Sequence, residues 1–243
     1  MVFSIVQLAV ALSFLYTIYW DLYILKLPGP RTFGGQWKFL TFWNLWIQFI
    51  YFTISFLTNI LGSKASKLTS IRDYLFATLA FPIGQFVGIV FWVLFHLDRE
   101  LVFPKRFDEF FPNYINHLMH TTVIPAQLLE LILLYHAYPS KKKGMVTTIL
   151  FCLIYLSWTL VIAHFGGIWV YPIFEVLTPL PRFLFMLVCS LFGALLYVLG
   201  ESLNNLVWGQ RTREISGPGT SGDSPNVHGM TTRSKVKRPQ KVD

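Results

Sequence analysis

The sequence predicts an all-α integral membrane bundle of about six transmembrane helices, and three observations lead to that fold class. The chain has 243 residues, of which 54% are hydrophobic and only 13% are charged, whereas soluble proteins carry about 25% charged residues. The mean hydropathy is +0.53. Six segments reach the roughly 20 apolar residues that a membrane-spanning helix needs. This composition excludes a soluble domain, a coiled coil, a collagen and a disordered chain, and two cysteines exclude a disulfide scaffold.

Charged residues and Pro/Gly clusters separate the six predicted spans. The first span has no basic residues before it and is too long for a signal-peptide core, so we expect it to be retained. The third contains Pro82, which a membrane helix tolerates because neighbouring helices can satisfy the freed carbonyl. In order, the predicted spans are 2–22, 38–61, 74–97, 115–136, 145–165 and 180–208.

Two regions differ in composition. Residues 1–208 form the predicted six-span domain, and residues 209–243 are predicted to be a disordered, basic cytoplasmic tail that holds seven of the twenty Lys and Arg residues. Alternating loops give thirteen basic residues on the side of both termini and seven on the other. The positive-inside rule therefore places both termini in the cytoplasm. Because the basic residues concentrate in this tail, we expect no nucleic-acid partner.

Polar residues inside the spans form two stripes. Thr41, Asn44 and Gln48 in the second span are three and four residues apart, so they share one helix face. Asn116, His120 and Gln127 form the matching stripe in the fourth span. In a six-span chain these two spans start on the same side of the membrane, and polar side chains normally face the bundle. The two stripes are therefore predicted to face each other.

This arrangement suits nucleophilic catalysis. A hydroxyl is a weak nucleophile unless a neighbouring base takes its proton, and histidine titrates in the required range. Thr41 is the candidate nucleophile and His120 the candidate general base, with backbone or amide donors near Asn44 or Asn116 as candidates to stabilise the oxyanion. The competing interpretation is a membrane adaptor or regulator in which the same side chains only hold helices together.

A metal site is a further alternative, ranked below the hydrolase. His117 and His120 are spaced i, i+3 and can reach one ion, with His96, His164, Asp98 or Glu175 as additional ligands. However, the chain has no His-Glu-x-x-His motif, so we expect neither a metal nor another cofactor. Glu130 lies deeper in the fourth span, where it is predicted to be a neutral acid, a hydrogen-bond partner of Asn204 or Asn205, or part of an ion path.

Several blocks of residues occur in a fixed order along the chain. They are Gly34-Gly35-Gln36-Trp37-Lys38-Phe39-Leu40-Thr41, Leu79-Ala80-Phe81-Pro82, Asp98-Arg99-Glu100 with Pro104-Lys105, Asn116-His117-Leu118-Met119-His120-Thr121, Tyr138-Pro139-Ser140, Trp169-Val170-Tyr171-Pro172 and Leu199-Gly200-Glu201. The order and spacing of these blocks resemble the family of the androgen-induced protein and the androgen-dependent TFPI-regulating protein. The resemblance covers about residues 10 to 208.

The resemblance implies a multi-pass membrane hydrolase of fatty acid esters of hydroxy fatty acids. The family's threonine nucleophile falls on Thr41 and its histidine on His120. The expected substrate is a lipid in the bilayer, and Lys38 is a candidate to hold its free carboxylate. The family favours the plasma membrane, with the endoplasmic reticulum as the alternative. Because the family is also named for an effect on another protein's expression, the adaptor interpretation stays open.

Overall fold

The computed structural model describes residues 2–25 and 32–215, without the side chains of residues 63 and 210–215, and these residues form an all-α bundle. No strand occurs in this part of the chain, and the predicted fold class is confirmed. The helices are α1 (Val2–Tyr19), α2 (Leu40–Leu61), α3 (Ser66–Leu75), α4 (Phe81–Asp98), α5 (Asn113–His120), α6 (Val123–Leu133), α7 (Lys141–Gly166), α8 (Pro172–Val176) and α9 (Pro179–Ile215). Most of the predicted tail, residues 216–243, lies outside the described residues.

Five continuous helical segments are long and apolar enough to cross a membrane. Two of them contain a π-helical turn, Trp20–Ile24 after α1 and Phe76–Ala80 between α3 and α4. The segments are Val2–Ile24, Leu40–Leu61, Ser66–Leu101, Lys141–Gly166 and Pro179–Gly209. They correspond to the predicted spans one, two, three, five and six, and they make this chain a multi-pass membrane protein.

The predicted fourth span, 115–136, is not one continuous helix. It consists of α5 and α6, which are separated by a turn at Thr121 and Thr122. Pro125 explains the break because it has no N–H to offer the carbonyl of Thr121, and its ring crowds that carbonyl. Instead, the amide of Ile124 donates to the Thr121 carbonyl over 3.1 Å. The prediction of an uninterrupted helix here was therefore wrong.

Side-chain contacts show that α5 and α6 together run parallel to α2. Thr41 meets His120, Gln48 accepts a hydrogen bond from Gln127, and Tyr51 donates to Glu130; the partners in each pair are 79 residues apart. A constant difference in residue number shows that the two elements lie side by side and point in the same direction. From Thr41 to Tyr51 the shared path is about 15 Å at 1.5 Å per residue. The broken helix thus follows a spanning helix through most of the bundle.

The freed carbonyl before Pro82 is satisfied by a neighbouring helix, as predicted. Pro82 lies in the first turn of α4, directly after the π-helical turn. The carbonyl of Thr78, four residues earlier, accepts a hydrogen bond from the Thr148 hydroxyl of α7 at 2.8 Å. The carbonyl of Ala80 likewise accepts from the Gln48 amide of α2 at 2.9 Å. Polar side chains of α2 and α7 therefore satisfy backbone carbonyls of the π-helical turn that leads into α4.

Helix α4 has a central place in the bundle because it contacts α2, α5, α6 and α9, while α1 packs along α2 and α7 along α9. Two glycines one turn apart, Gly84 and Gly88, allow α4 to approach its neighbours closely. A Cβ on Gly84 would lie 2.7 Å from the Gln48 amide nitrogen, and one on Gly88 would lie 2.7 Å from the backbone oxygen of His120. Small residues at four-residue spacing are typical of tight helix packing in membranes.

Candidate functional site

The backbone before α2 presents Thr41 at the start of that helix. Gly34 and Gly35 have φ angles of +87° and +51°, values that glycine adopts without a steric penalty. A short 3-10 turn, Gly35–Lys38, follows, and α2 begins at Leu40. The first amides of a helix have no acceptor within the helix. Here the amide of Leu40 donates to the hydroxyls of Tyr155 at 2.9 Å and Tyr171 at 3.1 Å.

Thr41 and His120, the two predicted catalytic residues, lie within hydrogen-bond distance. Thr41 Oγ1 is 3.2 Å from His120 Nε2. The other ring nitrogen, Nδ1, is 3.1 Å from the backbone oxygen of Asn116 and 2.8 Å from its side-chain Oδ1. A backbone oxygen only accepts hydrogen bonds, so Nδ1 carries the proton. In the neutral ring Nε2 is then the acceptor, and the Thr41 hydroxyl donates to it.

The imidazole of His120 is held from its face as well as from its edge. The ring of Phe91 stacks on it at a centroid distance of 3.6 Å and an interplanar angle of 11°. Only 6% of the His120 surface is exposed. The absence of a side chain at Gly88 lets α4 approach the His120 backbone. The histidine therefore has one orientation, with Nε2 directed at Thr41.

Two cavities of about 110 Å³ each meet at Thr41. We call the first the apolar cavity; it runs along α4 from Ile83 to Leu94 and is closed by α7, α8 and α9. We call the second the mixed cavity because aromatic residues line it together with Asp21, Gln36 and His120. Both walls include Thr41, Phe91, Val102 and Tyr171. Thr41 thus lies where the walls of the two cavities meet.

The predicted stripes face each other, and the side chains of Asn116 and Asn44 form hydrogen bonds within them. Asn116 accepts from His120 Nδ1 and therefore orients the histidine. Asn44 is fully buried and accepts from Gln48 over 2.9 Å. Gln127 completes this stripe by donating to Gln48. The sequence placed these amides on the correct helix faces but could not show which atoms they bond.

The histidines considered as metal ligands do not converge. Within residues 2–25 and 32–215, no group of three His, Cys, Asp or Glu side chains is placed to hold a metal ion. His117 bonds to the Thr121 hydroxyl at 3.0 Å and stacks on Trp92. His96 bonds to the Trp92 backbone oxygen at 2.7 Å. These two histidines are thus engaged around Trp92 rather than with His120.

A second polar cluster lies in the other half of the bundle. Glu130 accepts hydrogen bonds from Gln7 and Tyr51 at 2.9 Å and from Ser55. Tyr51 in turn contacts His136 at 3.4 Å. His136 is 3.1 Å from Asp73, which is paired with Arg72 at 2.6 Å. The alternative that joined Glu130 to Asn204 was wrong, since Asn204 bonds to the backbone of His136.

Lys38, the candidate carboxylate ligand, lies just before α2. Its ammonium group donates to the Thr32 hydroxyl and lies 5.1 Å from the centroid of the Phe39 ring. Phe39 itself lines the mixed cavity. Partial burial lowers the pKa of Lys38 from its ordinary value. The side chain is therefore close to the wall of the mixed cavity, and its role as a carboxylate ligand stays a prediction.

Three features of the site were missed at the level of sequence. The orienting role of Asn116 had a signal, because Asn and His four residues apart share a helix face. The Gly84 and Gly88 pair had a signal in its small-xxx-small spacing. Tyr171 lies in the block Trp169-Val170-Tyr171-Pro172, but its place at the cavity junction had no signal because it depends on how the segment between α7 and α8 packs against the start of α2.

Comparison with known proteins identifies the family. A family model described as FAR-17a/AIG1-like protein matches residues 2–205. The chain belongs to this family. Human androgen-induced gene 1 protein is 39% identical over 217 residues, which cover 84% of this chain and 91% of that protein. No solved structure matches the chain.

Two further relatives show the range of the FAR-17a/AIG1-like family. The mouse androgen-dependent TFPI-regulating protein is 45% identical over 181 residues, which cover 72% of this chain and 79% of that protein. A Schizosaccharomyces pombe protein described as a UPF0641 membrane protein is 22% identical over 173 residues, covering 70% and 75% of the two chains. The similarity therefore extends across most of the described bundle.

Proposed function

We propose that this member of the family is a membrane-embedded hydrolase of fatty acid esters of hydroxy fatty acids. The observation that carries the proposal is the hydrogen bond from the Thr41 hydroxyl to the unprotonated Nε2 of His120 at the junction of two cavities. A hydroxyl next to a base whose other nitrogen is held by a third group is the signature of an activated nucleophile. Here Asn116 is that third group.

The reaction follows from these roles. His120 Nε2 takes the proton of Thr41 while Oγ1 attacks the ester carbonyl carbon, and the same proton is then given to the leaving alcohol oxygen. The alcohol departs as a hydroxy fatty acid, and the acyl group remains on Thr41. A water molecule, deprotonated by His120, attacks the acyl carbon. The fatty acid leaves, and the threonine hydroxyl is restored.

The oxyanion formed in each step needs a donor at the junction of the two cavities. The Tyr155 hydroxyl donates to the Lys38 carbonyl at 3.0 Å, so its proton is already used. The Tyr171 hydroxyl accepts from Leu40 and lies 3.2 Å from the Tyr155 oxygen, so its own proton is directed at Tyr155 and can rotate from there to a substrate oxygen. Because Tyr171 lines both cavities, it is the donor that we assign to the oxyanion.

The substrate class is supported by the surroundings of Thr41. Fatty acid esters of hydroxy fatty acids have two hydrocarbon arms joined at an ester, and two cavities with largely apolar walls meet at the candidate nucleophile. Such lipids partition into a bilayer, where a multi-pass protein can take them up directly. The family resemblance supports the same substrates, and it favours the plasma membrane as the location.

The adaptor interpretation predicts a different response to mutation. If Thr41 and His120 only hold helices together, their removal costs about 0.6 kcal/mol and reduces the amount of folded protein. If they are catalytic, loss of His120 lowers the rate about 10²- to 10⁴-fold in protein that is still folded. The measured quantity must therefore be turnover per folded molecule.

The test uses the full chain in membranes and a fluorophosphonate probe, with hydrolysis of a fatty acid ester of a hydroxy fatty acid measured in the same sample. We expect Thr41→Ala and His120→Ala to abolish labelling and turnover, and Thr41→Ser to retain labelling. Thr17→Ala is the matched control, because Thr17 is buried and bonds only within its own helix, to the Ser13 carbonyl at 2.8 Å. Labelling that persists in Thr41→Ala would contradict the proposal.

A further inference from the structure

The two cavities that meet at Thr41 differ in one respect that determines how a substrate must lie. His120 lines the mixed cavity, whereas the wall of the apolar cavity passes along α4 and α9 without reaching the imidazole. Thr41, by contrast, is shared by both. The nucleophile is therefore accessible from two sides, but the base is accessible from one.

Because His120 lines only one of the two cavities, acyl transfer requires that the ester binds in one direction. The bond between the acyl carbon and the alcohol oxygen breaks while the bond between the acyl carbon and Thr41 Oγ1 forms. The proton taken from Oγ1 must reach the departing alcohol oxygen through His120 Nε2. The alcohol oxygen therefore has to lie on the side of His120. The opposite substituent of the reacting carbon, the hydrocarbon chain of the acyl group, points away from it.

We infer that the apolar cavity binds the acyl chain and that the mixed cavity binds the hydroxy fatty acid, an inference that rests on the proposed function. After the first step the hydroxy fatty acid leaves the mixed cavity, and water takes its place beside His120. Asp21 and Gln36 provide polar groups for that water on the same wall. The acyl group stays in the apolar cavity until the water has attacked.

Chemical character supports the assignment independently of the proton path. The apolar cavity follows about 16 Å of α4, from Ile83 to Leu94, at 1.5 Å per residue, which suits an unbranched hydrocarbon chain. The free carboxylate belongs to the hydroxy fatty acid, and the Lys38 ammonium lies beside Phe39 of the mixed cavity. The charged end of the substrate and the basic side chain are thus on the same side of Thr41.

The test separates the two arms by varying one at a time. In the full-length membrane protein, kcat/KM is measured for p-nitrophenyl butyrate and p-nitrophenyl palmitate, which differ only in the acyl chain. Cys189 lines the apolar cavity, and Cys189→Phe fills it, whereas Cys189→Ala is the matched control. We expect Cys189→Phe to lower the palmitate-to-butyrate ratio of kcat/KM about tenfold or more and Cys189→Ala to leave it unchanged.

A substitution in the mixed cavity provides the comparison for Cys189→Phe. Leu25 lines only that cavity, so Leu25→Phe is expected to leave the palmitate-to-butyrate ratio unchanged. A ratio that falls in Leu25→Phe and not in Cys189→Phe reverses the assignment, and a ratio that neither variant changes overturns it. If Cys189→Phe is inactive on both esters, Ser190→Leu on the same wall replaces it.

The outcome also distinguishes this inference from the function on which it rests. Turnover that survives Thr41→Ala would mean that the proposed hydrolase mechanism has failed. Turnover that depends on Thr41, with a palmitate-to-butyrate ratio insensitive to Cys189→Phe and Ser190→Leu, would mean that the mechanism holds and that the acyl chain lies elsewhere.

Discussion

Threonine is a weak nucleophile, and three contacts at Thr41 compensate for that weakness. The hydroxyl points at the lone pair of His120 Nε2, the histidine is fixed by Asn116 and Phe91, and largely apolar side chains line the two cavities at Thr41. Apolar walls matter because charge-stabilising contacts are stronger in a medium of low dielectric constant. The expected reactivity of Thr41 thus comes from the orientation of its hydroxyl and of the His120 ring. The residues that hold this orientation can be mutated separately from Thr41 and His120.

In the proposed mechanism Asn116 positions His120, so its contribution to the rate should depend on its acceptor oxygen. We expect Asn116→Ala to lower kcat up to about 10²-fold, because a small misplacement of a catalytic group has an effect of that order, with little change in KM. Asn116→Asp keeps an acceptor for His120 Nδ1 and should restore most of the rate. Single-turnover acylation kinetics measure this directly. Equal loss in both variants would show that Asn116 is needed only for folding.

Tyr171 offers a separate test of the oxyanion. Tyr171→Phe keeps the ring that lines both cavities and removes only the hydroxyl. Loss of one oxyanion donor lowers kcat about 10²- to 10³-fold, and we expect that range here. Tyr74→Phe is the control. The Tyr74 hydroxyl also bonds to a neighbouring helix, at Thr147 Oγ1 over 2.6 Å, but Tyr74 lines neither of the two cavities. Unchanged kcat in Tyr171→Phe would exclude it as the donor.

At the scale of the element, α4 determines where His120 lies. The approach of α4 to the α5–α6 segment is possible because Gly88 has no side chain. A mutation on α4 should therefore affect Thr41 and His120, the proposed catalytic pair, without changing either side chain.

Gly88→Ala places a Cβ 2.7 Å from the His120 backbone oxygen, closer than such atoms pack, so one of the two helices must shift. We expect turnover per folded molecule to fall about tenfold or more, since displacement of the imidazole by about 1 Å suffices for that. Gly209→Ala is the control because nothing lies within 4 Å of its added Cβ. Full activity of Gly88→Ala would show that α4 does not position His120.

Some features of these helices were predictable from the sequence, and others were not. The facing stripes and the support of Pro82 were predictable, because both depend on helix periodicity and on the need to satisfy buried backbone groups. The break before Pro125 was missed, since hydropathy is continuous through it and only the local geometry reveals the turn. The place of Tyr171 was not predictable, because it depends on tertiary packing alone.

At the scale of the whole molecule, two buried polar clusters occupy opposite halves of the bundle. The cluster around Thr41 contains the candidate nucleophile and base, whereas the cluster around Glu130 is about 15 Å away along the α5–α6 segment. Glu130 joins α1, α2 and α6 through Gln7, Tyr51 and Ser55. This distance predicts that the second cluster stabilises the fold and has no part in the reaction.

Glu130→Ala removes the carboxylate that accepts from Tyr51, Ser55 and Gln7, of which Gln7 keeps its second bond to Ser55, and it is expected to lower the free energy of unfolding by about 1–3 kcal/mol. The melting temperature in detergent should fall, while kcat of the folded fraction stays close to that of the wild type. Glu175→Ala is the control, because Glu175 is exposed. Loss of kcat in folded Glu130→Ala protein would instead support an ion path through Glu130.

The parallel course of α2 and the α5–α6 segment makes a prediction about the whole chain in the membrane. Two parallel segments separated by one spanning helix, Ser66–Leu101, require that the chain crosses an even number of times in total, five times by continuous helices and once by α5–α6. Both termini then lie on one side, and the residues between α4 and α5 lie on the other, close to Thr41. With the termini in the cytoplasm, as the basic residues predict, we expect the proposed catalytic pair to lie in the membrane half that faces away from the cytoplasm. We expect an antibody to a tag inserted after Glu109 to bind intact cells, and antibodies to terminal tags to bind only after permeabilisation. Binding to a terminal tag on intact cells would reverse the orientation, and opposite accessibility of the two termini would contradict the sixth crossing.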